Sequence, residues 1–449
     1  MRATWLGVIG AAGVLALAAC EPPGDRGEGV STIEAELVAQ GDEGLEAVAP
    51  VELADPALLA EPAPGAPALE GRDLLDHVRW LVSQERYPEA RELLQAQVEA
   101  QPQDVTTTLV LAGVDLLDES YRSAYDLSDA ALAVAPGDVR LMQTRALASL
   151  LDLDVATALE DYKELVSAMK RLAEAEGATV CQPISQCCAT APEALADALI
   201  GLATAHYNLG DLDAATDLAD TVFGMRGINP VGAHFVMALV QSKRGDDAAA
   251  LASYQTILQT HPGNPLVLNN VGGIAYRAKD LDGAERLFVA TVENAGVDRR
   301  TAAIAWSNLG DVALLRGDYK AAEDKLLEAT SISPGFPGAW FNLAVVYDLL
   351  GDDVRSKAHL VEGLNRDEQG VSRYNSSHFS PEWEAHFEGL LAEHDGRVGD
   401  AVNHWQAVAA GNVPALHATA ARHLARLTPV GVEAPAGLVS PVTGRIYIY

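Results

Sequence analysis

The hydrophobic and polar positions of residues 305–334, which read AWSNLGDVALLRGDYKAAEDKLLEATSISP, predict two short helices packed against each other. Trp306, Leu309 and Leu326 supply the apolar bulk at the predicted contact. Two helices cross closely only where small side chains meet, and small residues stand here where core leucines would be usual. These small residues are Gly310, Ala322 and Ala329.

The ends of both helices are marked in the same stretch. Gly317 supplies the turn that ends the first helix. Asp318 is suited to cap the second helix, and Pro334 stops that helix before the next one begins. The stretch therefore predicts one helix–turn–helix unit.

The same arrangement recurs along most of the chain in a frame of 34 residues, with Trp306 at the fourth place of its own unit. This pattern resembles the tetratricopeptide (TPR) repeat, and the resemblance covers residues 71–415. The nine units begin at residues 71, 105, 139, 196, 231, 265, 303, 337 and 382.

The resemblance implies an all-α fold, a right-handed α-solenoid of about nine TPR helix–turn–helix repeats spanning residues 71–427. The amphipathic stretch 415–427 is expected to form a C-terminal capping helix, because an end unit must cover its open apolar face. First helices of such units line a concave groove, which in this family typically holds an extended peptide or a partner helix. No reaction follows from the fold alone.

The N-terminus reads as a targeting segment. Residues 1–19 have Arg2, an apolar run and small residues, as secretory signal peptides do. Residues 17–20, LAAC, resemble the lipobox of bacterial lipoproteins, so Cys20 is the expected lipid attachment site. By the same resemblance Glu21 after the cysteine favours the outer membrane, and we expect the protein to face the periplasm.

A tether and a tail flank the predicted solenoid. Residues 21–70 hold twelve Asp and Glu against Arg26 alone and are rich in Pro and Ala. This composition buries too little apolar surface to order the chain, so residues 20–70 are predicted to form a disordered, lipidated tether. Residues 428–449 form a tail ending in GRIYIY.

The formal net charge of −32 argues against one class of partner. A nucleic-acid backbone would be repelled, and no cluster of Lys and Arg offsets this. We therefore expect no nucleic acid among the partners.

Asparagine occupies the sixth place of three successive units, at Asn270, Asn308 and Asn342. This place faces the groove in the family, so the three amides could form a ladder that hydrogen-bonds a bound peptide backbone. Asn is also common at this place in TPR sequences, and simple solvation of the amides is the alternative.

An insertion at residues 174–195 contains CQPISQCC. An exported chain meets an oxidising compartment, so we expect a disulfide from Cys181 to Cys187 or Cys188, with Cys181–Cys187 as the first choice. Zinc is the alternative, but the spacing lacks the paired CxxC motifs of a strong site, and we predict no metal.

Histidines are concentrated near the C-terminus, with His378, His386, His394 and His404 eight to ten residues apart. That spacing prevents all four from meeting at one ion, which favours separate surface or groove positions. The sequence contains no nucleotide loop, nucleophile elbow, HExxH motif or EF-hand loop, so we predict neither an enzyme nor a cofactor.

The sequence therefore predicts a lipid-anchored protein–protein interaction scaffold of the bacterial envelope. Its partner would be an envelope protein or peptide, as part of an outer-membrane motility, secretion or pilus machine. The alternative is a periplasmic module that binds a metal or glycan through the His-rich C-terminal repeats.

Overall fold

A computed structural model describes residues 71–175, 177–182, 187–296, 298–367 and 381–428. The signal peptide, Cys20, the tether, His378 and the GRIYIY tail lie outside these residues, so the expectations for them stay predictions.

The described chain contains nineteen helices, which form nine pairs and a final single helix. The first helices of the pairs are α1 (Gly71–Ser83), α3 (Val105–Leu117), α5 (Val139–Leu151), α7 (Ala191–Leu209), α9 (Val231–Lys243), α11 (Pro265–Arg277), α13 (Arg299–Leu315), α15 (Pro337–Leu349) and α17 (Pro381–His394). The second helices are α2 (Tyr87–Ala100), α4 (Tyr121–Val134), α6 (Val155–Ala173), α8 (Leu212–Phe223), α10 (Asp247–Leu258), α12 (Leu281–Asn294), α14 (Tyr319–Ile332), α16 (Asp353–Arg366) and α18 (Val398–Ala410).

Each pair forms one unit of the solenoid, and α19 (Pro414–Leu427) packs against α18 at the end. The helices of a pair contact each other, and each pair contacts the next along the chain. The predicted α-solenoid of nine helix–turn–helix units with a C-terminal capping helix is confirmed.

Turn and capping residues explain where the helices begin and end. Gly317 adopts a positive φ of 77° after α13. Asp318 then accepts a hydrogen bond from the Ala321 backbone N–H over 3.0 Å. An aspartate side chain caps most second helices in the same way, because its carboxylate satisfies backbone N–H groups that the first turn leaves unpaired.

The two helices of a unit differ in burial. In unit 8, eleven of the 13 residues of α15 are buried, whereas α16 buries Ser356, Leu360 and Gly363 out of 14 residues. The same contrast separates α13 from α14. In these two units the first helix therefore belongs to an inner layer that is covered on most sides, and the second helix lies at the outer surface.

Glycines at the eighth place allow the two layers to approach closely. A Cβ atom added at Gly310 would lie 2.7 Å from Leu326 Cγ, and one at Gly272 would lie 2.7 Å from the Phe288 ring. These distances are shorter than carbon atoms tolerate, so the sequence-based explanation of Gly310 as a close-approach residue is confirmed.

The insertion after unit 3 folds as a β-hairpin. Strand β1 (Thr179–Gln182) pairs antiparallel with β2 (Cys187–Thr190). Thr190 and Glu193 then form a capping box that starts α7. Among the residues that the structure describes, no helix combines the length and apolar character needed to cross a membrane.

Candidate functional site

Polar side chains on the first helices of units 5 to 9 each contact the first helix of the preceding unit. In every case the donor or histidine belongs to the later unit and its partner to the earlier one. We name this series the inter-unit ladder. Its contacts are Lys243 Nζ to Tyr207 O (3.0 Å), Arg277 Nη2 to Ser242 Oγ (2.7 Å), Asn308 Nδ2 to Asn269 Oδ1 (2.8 Å), Asn342 Nδ2 to Asp311 Oδ1 (2.8 Å) and His386 Nε2 to Asp348 Oδ2 (2.7 Å).

The three asparagines predicted to bind a peptide occupy different environments. Asn270 is 1% exposed and donates to the Leu266 carbonyl of its own helix, and Asn342 is 6% exposed. Both side chains are therefore buried rather than open to solvent, and Asn342 donates to Asp311 of the preceding unit. Asn308 is half-buried and remains partly accessible. Peptide binding by these residues stays a prediction.

Asp311 is one of the two buried acids of the ladder, the other being Asp348. It is 5% exposed, and Asn342 donates to its Oδ1 atom. Burial raises the pKa of Asp311 well above its ordinary value, since an ionised carboxylate loses its hydration there. The carboxyl group therefore favours its neutral form more strongly in the folded protein than in the unfolded chain.

Asp311→Asn is expected to leave the protein at least as stable near pH 7. The raised pKa means that the folded state retains a proton that the unfolded chain has lost, so this group's contribution to stability falls as the pH rises above about 4. Asparagine has no ionisable proton, so it removes this pH-dependent loss of stability, and its side-chain oxygen still accepts a hydrogen bond from Asn342. Urea denaturation of both proteins between about pH 4 and pH 8 checks this. A clear loss of stability in the variant near pH 7 would contradict it.

A second polar centre joins units 8 and 9 to the capping helix, and we name it the acid–histidine cluster. At its centre is Asp348, which is 1% exposed. Asp348 is contacted by His386 Nε2 at 2.7 Å, His423 Nε2 at 2.8 Å and Arg422 Nη2 at 2.5 Å. These partners lie on α17 and α19, so one carboxylate holds three helices together.

The other side of His423 completes the cluster. Its Nδ1 atom lies 2.5 Å from Glu393 Oε1, which also accepts from Trp405 Nε1 over 2.6 Å. The Trp405 and His423 rings stack with their centroids 3.9 Å apart. Both ring nitrogens of His423 thus face a carboxylate oxygen, and this arrangement favours the protonated form of the ring.

Charges in the cluster shift two pKa values in opposite directions. Burial alone would raise the pKa of Asp348, but hydrogen bonds from His386 and His423 hold it far below its ordinary value. Burial works against the charged form of His423, yet Asp348 and Glu393 raise its pKa above the ordinary value. The folded protein therefore keeps an ion pair at this junction.

Asp348, Asp353 and His423 place three potential ligand atoms within 4.8 Å of one another, beside a cavity of about 220 Å³. However, Arg422 Nη2 already lies 2.5 Å from Asp348, and Arg426 Nη1 lies 2.6 Å from Asp353. Two guanidinium groups on the same carboxylates repel a cation, so the donor set does not fit a metal ion well.

The structure separates the predicted histidines. His386 lies in the cluster, His394 lines the nearby cavity, and His404 is half-buried on α18. Sequence reasoning missed Asp348 and His423. One signal was available for Asp348, since a lone acid in the apolar run NLAVVYDLL indicates a buried acid that needs a partner.

Cys181 is disulfide-bonded in the structure. The hairpin register places Cys188 opposite Cys181 and Cys187 opposite Gln182. The backbone thus makes Cys188 a cross-strand neighbour of Cys181, and the choice of Cys187 as its partner stays a prediction.

Comparison with known families identifies the repeats. The family model described as tetratricopeptide repeat matches residues 235–298 and 274–337, which cover units 5 to 7. Residues 235–337 therefore consist of TPR repeats. The matched segment contains three donors of the inter-unit ladder, Lys243, Arg277 and Asn308.

One curated relative is cellulose synthase operon protein C of Pseudomonas fluorescens (strain SBW25), which is 28% identical over 151 residues. The match covers 32% of this chain but only 12% of that relative's length.

Solved structures to which the chain is similar include PilF of Pseudomonas aeruginosa, at 17% identity and a TM-score of 0.35, covering 52% of this chain and 92% of that one. PilW, a type IV pilus biogenesis factor, is 18% identical with a TM-score of 0.36 and coverages of 50% and 97%. The APC/C hetero-tetramer Cut9–Hcn1 gives 16% identity, a TM-score of 0.43 and coverages of 68% and 56%.

Proposed function

We propose that this protein is a lipid-anchored interaction scaffold of the bacterial cell envelope, which holds a partner protein as part of an outer-membrane assembly. One observation carries the proposal: nine helix–turn–helix units and a cap follow one another between residues 71 and 427. Solenoids of this type present long surfaces on which a partner chain can be bound at several units.

The buried polar groups of the described repeats favour a structural role over a catalytic one. In the ladder and in the acid–histidine cluster, the polar contacts connect one helix to another. A catalytic site needs a reactive group aimed at a space that a substrate can enter. These contacts instead fix the spacing of the units, which suits a rigid binding surface.

The N-terminal sequence supports the location. The resemblance of residues 17–20 to a lipobox predicts a diacylglyceryl group on Cys20, and the acidic segment that follows would separate the solenoid from the membrane surface. Cys20→Ser is expected to move the protein from the membrane fraction to the soluble fraction of lysed cells. Persistence in the membrane fraction would refute the lipid anchor.

The partner surface can be located by crosslinking in cells. A photoreactive residue at Asn308 samples the inner face of unit 7, and the same residue at Leu327, which is 40% exposed on α14, samples the outer face of that unit. We expect one dominant envelope protein to be captured from position 308 and not from position 327. Capture from position 327 alone would assign the partner to the outer face, and no capture from either would overturn the scaffold at this unit.

The second candidate is a module that binds a metal or glycan in the C-terminal repeats, and the cavity lined by His394 and His423 is the observation in its favour. Calorimetric titration of the purified protein with zinc tests the metal. Stoichiometric binding that is lost in His423→Ala would support this candidate, while heats indistinguishable from dilution would leave the scaffold.

A further inference from the structure

Two parts of the solenoid that are far apart in sequence meet in space. In unit 2, Glu119 lies at the turn between α3 and α4 and Tyr121 begins α4. In unit 7, Arg300 lies in the first turn of α13 and Ser333 follows α14. Arg300 Nη1 donates to Tyr121 Oη over 3.2 Å, and Ser333 Oγ donates to Glu119 Oε2 over 2.5 Å. The partners are separated by 179 and 214 residues. We name these contacts, with those of Arg299, the latch.

Arg299 extends the latch towards unit 1. Its Nη1 atom lies 3.8 Å from Asp118 Oδ1, and its guanidinium group lies 5.9 Å from the centre of the Tyr87 ring. The same side chain donates to the Ile332 carbonyl over 2.9 Å through Nε, which caps the end of α14. Arg299 therefore links the turns of units 1 and 2 to the edge of unit 7.

The latch is buried but contains no shared apolar core. Arg300 is only 8% exposed, and burial raises the pKa of Tyr121 to about 12. Among the residues that the structure describes, no apolar cluster includes side chains from both units 1–2 and unit 7. Arg300 Nε and Glu119 Oε1 are buried there without a hydrogen-bond partner in the described chain.

A junction of this kind is easier to open than a junction between adjacent units. Neighbouring units share buried apolar surface, and exposing that surface to water costs a large free energy. The latch instead exchanges its polar contacts for contacts with water, and the two unpaired buried atoms would gain hydrogen bonds on opening. Few side chains need to move apart for this to happen.

We propose that the latch is a releasable closure of the solenoid, which joins units 1 and 2 to unit 7 and limits how far a partner can reach the inner face of α13. The closure is a property of this chain alone and does not depend on a partner. Its effect on access to Asn308, nine residues from Arg299 on the same helix, rests on the proposed scaffold function.

Glu119 offers a variant that releases the latch without damaging its own unit. Glu119 adopts a positive φ of 58°, a conformation that favours glycine, and Gly317 occupies the corresponding place of unit 7 with a φ of 77°. Glu119→Gly therefore removes the acceptor for Ser333 while relieving backbone strain. Glu85→Gly is the matched control, because Glu85 has a φ of 56° at the same place of unit 1 and its side chain is exposed.

Hydrogen exchange measured by mass spectrometry, together with small-angle X-ray scattering, tests the closure in the full-length protein. In Glu119→Gly we expect faster exchange at residues 299–303 and 333–336 and a larger radius of gyration, with an unchanged melting temperature. Glu85→Gly should match the wild type in exchange and scattering. The double variant Arg299→Ala/Arg300→Ala opens the latch from its other side and should give the same shift. Wild-type exchange and scattering in both latch variants would overturn the proposal.

Crosslinking from position 308 tests whether opening the latch changes the access of a partner to the inner face of α13. We expect Glu119→Gly to increase capture of the partner several-fold over the wild type. An opened latch with unchanged capture would remove the gating role while leaving the scaffold intact. An opened latch with no capture in either protein would instead count against the proposed function.

Discussion

Asp348→Ala is expected to lower the free energy of unfolding of the C-terminal units by about 3–5 kcal/mol, because it leaves buried cationic and polar groups without their acceptor. His386 and His423 are 0% and 2% exposed, so neither ring can recover its lost hydrogen bond from water without moving. Solenoid units depend on their neighbours, and we expect the cap and unit 9 to separate from unit 8 first.

Urea denaturation followed by tryptophan fluorescence measures this effect, since Trp405 is fully buried and stacks on His423. The control is Asp395→Ala. Asp395 is an exposed acid that pairs with Arg397 at 3.1 Å, and such surface pairs contribute at most about 1 kcal/mol. A similar small effect in both variants would show that the acid–histidine cluster is not a main support of the C-terminal end.

The stability that the acid–histidine cluster contributes should fall when the pH is either lowered or raised from an intermediate range. Asp348 has a lowered pKa, so its contribution is present above the unfolded value near 4 and is lost as the pH falls further. His423 has a raised pKa, so its contribution is complete below about 6.5 and is lost as the pH rises through the folded value. The Asp348→Ala deficit is therefore expected to be largest between about pH 4 and pH 6.5.

Gly310→Val is expected to destabilise the centre of the solenoid by about 1–3 kcal/mol, the usual cost of overpacking a well-filled core. The added Cβ alone would lie 2.7 Å from Leu326 Cγ and 2.9 Å from Leu326 Cδ2. Leu326 is fully buried, so it has little space in which to move away. Helices α13 and α14 would have to separate, which also disturbs their contacts with units 6 and 8.

Gly399→Ala is the matched control for that change. Gly399 lies in α18, is exposed, and an added Cβ would have nothing within 4 Å. Alanine favours the helix more than glycine by up to about 1 kcal/mol, so this variant should be neutral or slightly stabilising. Thermal denaturation of both variants compares them, and equal destabilisation would refute the close-approach role of Gly310.

The candidate site was less predictable than the fold, and the three asparagines show why. The position of Asn342 on a first helix follows from the 34-residue frame, yet its environment depends on Ser307 and Asp311 of the preceding unit. A repeat pattern gives the direction of a side chain relative to its own helix. Whether that side chain meets a neighbour or open solvent depends on how tightly the units stack.

The sequence by itself determined the structure of one repeat unit and the number of units in the chain. Gly310, Leu326 and Asp318 act within about 16 residues of one another, so the forces that shape one helix pair are local and leave a periodic signature. Because each unit contacts mainly its neighbours, repetition of that signature was enough to predict a capped solenoid.

Only the tertiary structure decided which distant polar groups meet. The acid–histidine cluster joins Asp348 to His423, 75 residues later, and the latch joins Glu119 to Ser333, 214 residues later. The latch depends on the accumulated curvature of many units, because a small change in the angle between neighbours moves the ends of the solenoid a long way. No periodic feature of the sequence indicates which distant side chains will meet, so these junctions could be found only in the folded protein.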